Sequence, residues 1–351
     1  MSLIRLSSPH VYKANSTANV MRLVMLAMLP GILALTVFFG WGTLIQIVWA
    51  GLLALGFEAA ILKLRKRPVL FHLNDGSALV TAMLLAVAIP PFAPWWLTLV
   101  GVFVAIVLGK HLYGGLGQNP FNPAMVAYAL LLISFPVEMT RWTAPFVLHG
   151  DGWQIAPFLD TLKAVFASAD TLWYDSFTGA TPLDEIRHRG GLTTEEAWRQ
   201  STVLSQGIGA WHAVSAAWLM GGIFLLYRKV ITWHAPIAML LALALCASMF
   251  FGFDPDNYAD PFFHLSTGAT MLAAFFIITD PVSSATSNRG RILFGASIGV
   301  LIFIIRTWGN YPDGVAFAVL LMNLAAPFID IYTQPRSYGH NKANKGRGGK
   351  A

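Results

Sequence analysis

The chain has 351 residues, 56% of them hydrophobic and 11% charged, with a mean hydropathy of +0.60 and a formal net charge of +6. A soluble chain carries about a quarter charged residues. Here the shortfall lies in long apolar runs, which exclude an ordinary water-soluble domain and point to a bilayer. The basic surplus sits in short connections between those runs, as membrane topology requires, and argues against nucleic-acid binding. One cysteine, Cys246, excludes an internal disulfide and a thiolate-held cluster or zinc site, and inside an apolar run it reads as packing.

The first stretch, 1–19, is polar, contains Arg5 and Lys13, and lacks the short apolar core and small-residue cleavage site of a signal peptide. About twenty apolar residues cross the hydrocarbon core as a helix. On that measure full spans are predicted over Val20–Gly40, Thr43–Leu62, Trp95–Tyr113, Ile208–Tyr227, Ile231–Phe251 and Gly290–Thr307. Four more segments are shorter or open on Gly, Pro or Asp: Asp75–Ile89, Pro123–Phe135, Ser266–Thr279 and Asp313–Ile329. They read as helices broken within the membrane.

A repeat runs through these segments. His72-Leu73 and Gly76 return as His264-Leu265 and Gly268; Gly117, Pro120 and Ala124 return as Gly309, Pro312 and Ala316, always 192 residues on. The simplest account is a duplicated unit of five spans, 20–137 and 206–332, flanked by a cytoplasmic segment 1–19 and a basic cytoplasmic tail 333–351. An odd number of spans inverts the second copy. Charge agrees: with the N-terminus inside, Lys63, Arg65, Lys66, Arg67, Arg228, Lys229, Arg289, Arg291 and the tail from Arg336 to Lys350 all fall inside. The connection 138–205 then lies outside, with nine acidic and five basic side chains. The predicted fold is therefore all-α and polytopic, about ten transmembrane helices in two inverted sets of five, with a loop domain between them.

Within that connection stands Asp175-Ser176-Phe177-Thr178-Gly179-Ala180-Thr181-Pro182-Leu183. From residue chemistry alone it is a turn, because Asp and Thr cap backbone N–H groups and Gly179 tolerates positive φ. It also resembles the sequence Asp-x-x-[Ser/Thr]-Gly-Ala-Thr, at which a flavin transferase esterifies FMN through its phosphate to the last threonine. That resemblance makes Thr181 the covalent attachment residue and Asp175, Thr178, Gly179 and Ala180 its recognition elements, with the flavin ring left free for electron transfer. A second string, Ser266-Thr267-Gly268-Ala269-Thr270, has His264 in place of the acidic residue and opens a predicted span, so Thr270 is expected to be structural and the polar residues to cap a half-helix.

Ser8-Pro9-His10, the run from Lys110 to Ala124 (KHLYGGLGQNPFNPA) and Thr279-Asp280-Pro281-Val282-Ser283 resemble the RnfD/NqrB family over nearly the whole chain. The short N-terminal region is similar to its RnfD (RsxD) branch, since NqrB has a longer one. The resemblance implies a fold similar to urea transporters and a place in the bacterial inner membrane, with the flavin loop periplasmic. It further implies a role as membrane subunit of an oxidoreductase coupling electron transfer to sodium or proton movement. Expected partners are RnfA, RnfB, RnfC, RnfE and RnfG, membrane lipid, and a flavin transferase during maturation. A second, non-covalent flavin (riboflavin) is a possibility that the NqrB branch raises.

Charged groups at bilayer depth are costly. Glu58, Lys110 and Arg306 are expected to snorkel from span ends; Asp75, Asp280 and Asp313 border the broken spans and are expected to cap them; His111 and His264 complete the set. The competing function, a channel or transporter for a small polar solute, is suggested by the repeat and the broken helices, and leaves the string at Thr181 unexplained.

Overall fold

A computed structural model of the protein describes residues 16–145, 156–167, 177–311 and 313–333. Ser16 caps the first helix, α1 (Thr17–Phe39), by accepting a hydrogen bond from Asn19 N. There follow α2 (Gly42–Leu64), the short α3 (Val69–Leu73), α4 (Ser77–Ala88), α5 (Trp95–His111) and α6 (Pro123–Ser134). Asn122 opens α6 by accepting from the N–H groups of Ala124 and Met125, with Pro123 at the first helical position, where its missing N–H costs nothing.

The connection, in its described residues, is folded rather than loose. It contains α7 (Pro136–Thr140), a two-residue strand β1 (Trp142–Thr143), α8 (Phe158–Phe166), β2 (Thr178–Gly179), α9 (Pro182–Arg187) and α10 (Thr194–Gln200). The strands pair antiparallel, Trp142 opposite Gly179 and Thr143 opposite Thr178. Phe158 and Phe166 of α8 meet Trp41 and Trp49 edge-on, at 5.9 and 5.2 Å, which lays α8 along the start of α2. Leu183 and Ala197 pack with Leu204, Ala259 and Phe263 in a small core of their own.

The second half runs α11 (Val203–Tyr227), α12 (His234–Phe253), α13 (Pro261–Ser266), α14 (270–277), α15 (Asn288–Trp308) and α16 (Val315–Thr333). Helix starts recur at the spacing of the sequence repeat: Gly42 and His234 open α2 and α12, and Pro123 and Val315 open α6 and α16. The breaks recur too. Gly76 (φ 75°) precedes α4 and Gly268 (φ 64°) precedes α14, both in the left-handed region that a side chain disfavours. Across the halves, α1 packs on α11 and α6 on α16, so equivalent helices face each other. Pro312 lies outside the described residues.

Among the described residues six helices are long and apolar enough to cross a bilayer: Thr17–Phe39, Gly42–Leu64, Val203–Tyr227, His234–Phe253, Asn288–Trp308 and Val315–Thr333. The protein is mostly helical, with the apolar helices of a multi-pass membrane protein. Leu26, Leu29 and Leu33 of α1, Leu241, Leu245 and Met249 of α12, and Leu321, Leu324 and Phe328 of α16 stay exposed, an apolar belt suited to lipid. Two expectations change. The segment expected as short over 313–329 is a full helix, α16, which tolerates Pro327 in its interior. The expected full span from Trp95 stops at His111, and from Val104 its turns widen to π-helical hydrogen bonding, as in Leu112 N to Val107 O at 2.9 Å.

Small residues set the tightest helix contacts. Gly295 and Gly299 of α15 lie against the backbone of Ala235 and Met239 on α12, where any Cβ would collide with carbonyl oxygens that cannot move aside. Gly221 of α11 is pressed in the same way against Ala27 of α1. Without a hydrophobic drive between helices in lipid, such close approach is what dispersion forces require.

Candidate functional site

Thr181 is the N-cap of α9. Its Oγ1 donates to Asp184 Oδ2 at 2.6 Å and accepts from Asp184 N at 3.2 Å, while Thr181 N donates to Asp184 Oδ2 at 3.3 Å. This is a reciprocal capping box, with Pro182 at the first helical position. Thr178 and Gly179 are held in β2, half-buried, and a Cβ on Gly179 would meet the Cβ of Ala144 at 3.1 Å, a tight fit that favours the small residue. Ala180 is exposed between ribbon and helix. Asp175 and Ser176 lie outside the described residues. The expected turn with a left-handed glycine is not what the described residues form: Thr178 and Gly179 are strand, Gly179 does not take a positive φ, and the threonine hydroxyl stands where that strand gives way to the capped helix.

α9 is anchored to the second half. Arg187 Nη1 donates to the carbonyl oxygens of Arg306 and Tyr311, each at 3.3 Å, and Leu183 sits against Gly268. The result is a cavity lined from both halves and from the connection, with Thr181, Asp184 and Asp313 among its polar residues. Its walls are largely apolar and aromatic: Tyr128 of α6, Trp142 of β1, Trp211 and Trp218 of α11, with Met125 and Met139. Sequence reasoning does not find this cavity, because its lining comes from both halves and from the connection, at no common spacing.

Next to it, Arg306 organises the second break. Its Nη1 donates to His264 O at 2.8 Å, its Nη2 to Thr270 Oγ1 at 2.9 Å and to Asp313 Oδ1 at 3.1 Å. Asp313 Oδ2 accepts from Ala269 N at 2.8 Å, and so caps α14 from across the fold. Thr270 is fully buried and donates to His264 O at 2.9 Å, a structural residue as expected. The cap, however, is Asp313 and not a Ser or Thr of the string itself.

The first break has a different chemistry. Lys110 Nζ donates to Glu58 Oε1 at 2.6 Å and to Ser77 Oγ at 2.7 Å; Ser77 N donates to Asp75 Oδ1 at 2.7 Å. His111 Nε2 lies 3.4 Å from Glu58 Oε1. Glu58, Lys110 and Arg306 therefore do not snorkel. They are 2%, 2% and 6% exposed and spend their charge on partners inside the helix bundle, which is how a charge is kept at such depth. Asp75 does cap, through Ser77 N, whereas Asp280 caps no helix: its carboxylate accepts from Val282 N at 3.2 Å and from Ser283 Oγ at 2.8 Å within the turn after α14.

The sequence pattern of the family described as NQR2, RnfD, RnfE matches residues 4–339. The chain is similar to proteins named as the D subunit of an ion-translocating oxidoreductase complex. That of Ectopseudomonas mendocina is 56% identical, covering 99% of this chain and 98% of the relative. That of Cellvibrio japonicus is 53% identical, covering 98% and 97%, and that of Vibrio vulnificus 52% identical, covering 97% and 100%.

Proposed function

The chain belongs to the NQR2, RnfD, RnfE family, and from that premise we propose that it is the flavin-carrying membrane subunit of an ion-translocating oxidoreductase complex of the Rnf type. It acts as one part of an enzyme complex, passing electrons between partner subunits, RnfA, RnfB, RnfC, RnfE and RnfG, while sodium ions or protons cross the membrane. Ten membrane segments, six long and four short or broken, form two inverted sets of five in a urea-transporter-like arrangement in the bacterial inner membrane. The connection and Thr181 face the periplasm. The charge asymmetry between the connection and the rest of the chain supports that sidedness.

The observation that carries the cofactor proposal is Thr181 itself. A hydroxyl stands between a two-residue ribbon and a capped helix, beside exposed Ala180, in the lining of a largely aromatic cavity. The residues fit an FMN phosphoester. Thr181 supplies the ester oxygen, Gly179 and Ala180 leave the bend unobstructed, and the cavity can shelter a planar ring. Bound FMN supplies one- and two-electron transfer. Esterified, Thr181 Oγ1 can still accept from Asp184 N but no longer donates to Asp184 Oδ2. A second flavin, riboflavin, held without a bond remains part of the proposal, without assigned residues.

In-gel fluorescence of the denatured chain, co-expressed with the flavin transferase, tests it. Emission should migrate with the protein and vanish in Thr181→Ala. Loss in Thr270→Ala instead, with Thr181→Ala still fluorescent, would move the site to the other string.

A further inference from the structure

A second cavity, of about 370 Å³, lies between α9 and the turn that follows it, the chain joining α12 to α13, and the end of α15. It shares only Leu183 with the cavity at Thr181. Its lining is mostly polar, and among the described residues no Asp or Glu contributes to it. We propose that it binds a phosphate-bearing anion, the headgroup of an acidic phospholipid, through Arg187 and Arg189. Such binding does not depend on attachment at Thr181. Both arginines line the cavity half-buried, and main-chain oxygens fix both guanidinium groups. Arg187 Nη1 donates to Arg306 O and Tyr311 O. Arg189 donates through Nε to Leu192 O and through Nη1 to Ile186 O, each at 3.0 Å, and through Nη2 to Asn257 O at 2.7 Å. Unlike Lys110 and Arg306, neither makes an ion pair among the described residues.

Carbonyl oxygens orient a guanidinium without neutralising it, so two fixed positive charges stand at one cavity with no counterion. Arg306 lines the cavity as well, but its guanidinium is committed to Asp313 and the second break and is not counted. Asp254, Asp256 and Asp260 flank Asn257 in sequence yet stay out of the lining. Asp254 accepts from Asn257 N and Nδ2, and Asp260 caps α13 through Phe263 N at 2.8 Å. Arg187 Nε and Nη2 and the N–H groups of Gly190 and Gly191 have no partner among the described residues. Gly190 and Gly191 line the cavity too, with φ of 62° and 88°. Main-chain N–H groups in such a turn suit an anion, and an arginine fork matches phosphate geometry. The aromatic residues favour a lipid source. Trp308 lines the cavity, is exposed, and rests on Phe250 and Tyr258 with ring centres 5.2 and 6.4 Å away. Trp and Tyr gather where membrane meets water. One and two turns back along α15, Ile304 and Val300 are exposed, as is Phe253 at the end of α12, a path for acyl chains. Basic pockets between membrane helices hold acidic headgroups in this way.

The test compares the unsubstituted full chain with Gly190→Asp and Gly190→Asn in detergent. Native mass spectrometry reads the binding of added dioleoylphosphatidylglycerol, and equilibrium dialysis reads that of radiolabelled inorganic phosphate. Asn and Asp both tolerate the left-handed region, and a Cβ at Gly190 meets only His188 O, at 4.0 Å. Both substitutions leave the arginine bonds in place, and only Asp brings a negative charge to the cavity. The tightest phosphatidylglycerol adduct should form alike with the unsubstituted and Asn chains and weaken about 10-fold in the Asp chain. Arg187→Gln should weaken it as much, by loss of a charge-assisted bond. The glycine pair keeps the question answerable if that chain does not accumulate. Equal binding of both probes by the Asp and Asn chains overturns the site, as does failure of the unsubstituted chain to bind either probe. Inorganic phosphate lost in the Asp chain, with phosphatidylglycerol bound alike by both, overturns the lipid source and makes a soluble phosphate compound the ligand.

Discussion

At the residue scale the most consequential group is the Glu58–Lys110 pair. Both charges are taken out of water, and each is tolerable only because of the other. Lys110→Met should therefore destabilise the protein by about 3–5 kcal/mol, the usual cost of stranding one member of a buried pair. The double replacement Glu58→Gln, Lys110→Met should recover much of that loss. Thermal unfolding in detergent measures both, and a double variant no better than the single one would show that the pair is not the reason. A second residue-scale expectation concerns Glu196 in α10. Thr193 donates its backbone N–H and serves as the cap, and these bonds hold the Glu196 carboxyl below the usual carboxylate range. A lowered folded-state pKa means stability that is present above the unfolded value and lost as pH falls through the folded one. The Thr193 amide resonance should thus shift with a midpoint below that of an ordinary glutamate. A midpoint at the ordinary value would contradict the capping box.

At the scale of elements, α12 and α15 owe their contact to Gly295 and Gly299. Gly299→Leu should cost about 1–3 kcal/mol by overpacking, and more if the helices separate. Leu at Gly252, where nothing stands within 4 Å, should be nearly neutral. Comparison of the two by chemical or thermal unfolding isolates the packing effect from the loss of a glycine. The long helices were legible because twenty apolar residues leave little alternative, and the helix starts follow the repeat found by spacing. Two boundaries were not legible. The segment that forms α16 reads with the broken spans because it opens on Asp313, and its last turn to Thr333 is too polar to read as span, while the widening of α5 at Val104 leaves no mark in composition. Pairing was also out of reach: Glu58 and Lys110 are far apart in the chain, and only the packing of α2 against α5 brings them together. The threonine of the proposed attachment was readable as a motif; the cavity beneath it was not.

At the scale of the whole molecule, sidedness is the property with the widest reach. Chains with Cys246→Ser as background and a single new cysteine can report it. Glu195→Cys in α10 should react with a membrane-impermeant maleimide in intact cells, and Arg228→Cys, after α11, only once the membrane is opened. The reverse pattern would invert the topology and put Thr181 on the wrong side. The asymmetry of the two halves has a further meaning. Equivalent breaks at Gly76 and Gly268 carry unlike chemistry, a Lys–Glu–Ser cluster in one half and an Arg–Asp latch beside the connection in the other. Helices that start at one spacing thus carry different polar equipment in the two halves.

The wide turns at the end of α5 are the simplest case of that divergence. Its counterpart, α15, keeps an unbroken α-helical pitch to Trp308. A turn that holds one residue more than its neighbours acts as a phase shifter, advancing everything beyond it by about 100° around the axis. Lys110 and His111 lie in those wide turns, with Lys110 Nζ 2.6 Å and His111 Nε2 3.4 Å from Glu58 Oε1. Excising a single residue such as Val107 would delete no functional group, yet it would swing the ammonium out of register with its carboxylate while α5 itself became the more regular helix.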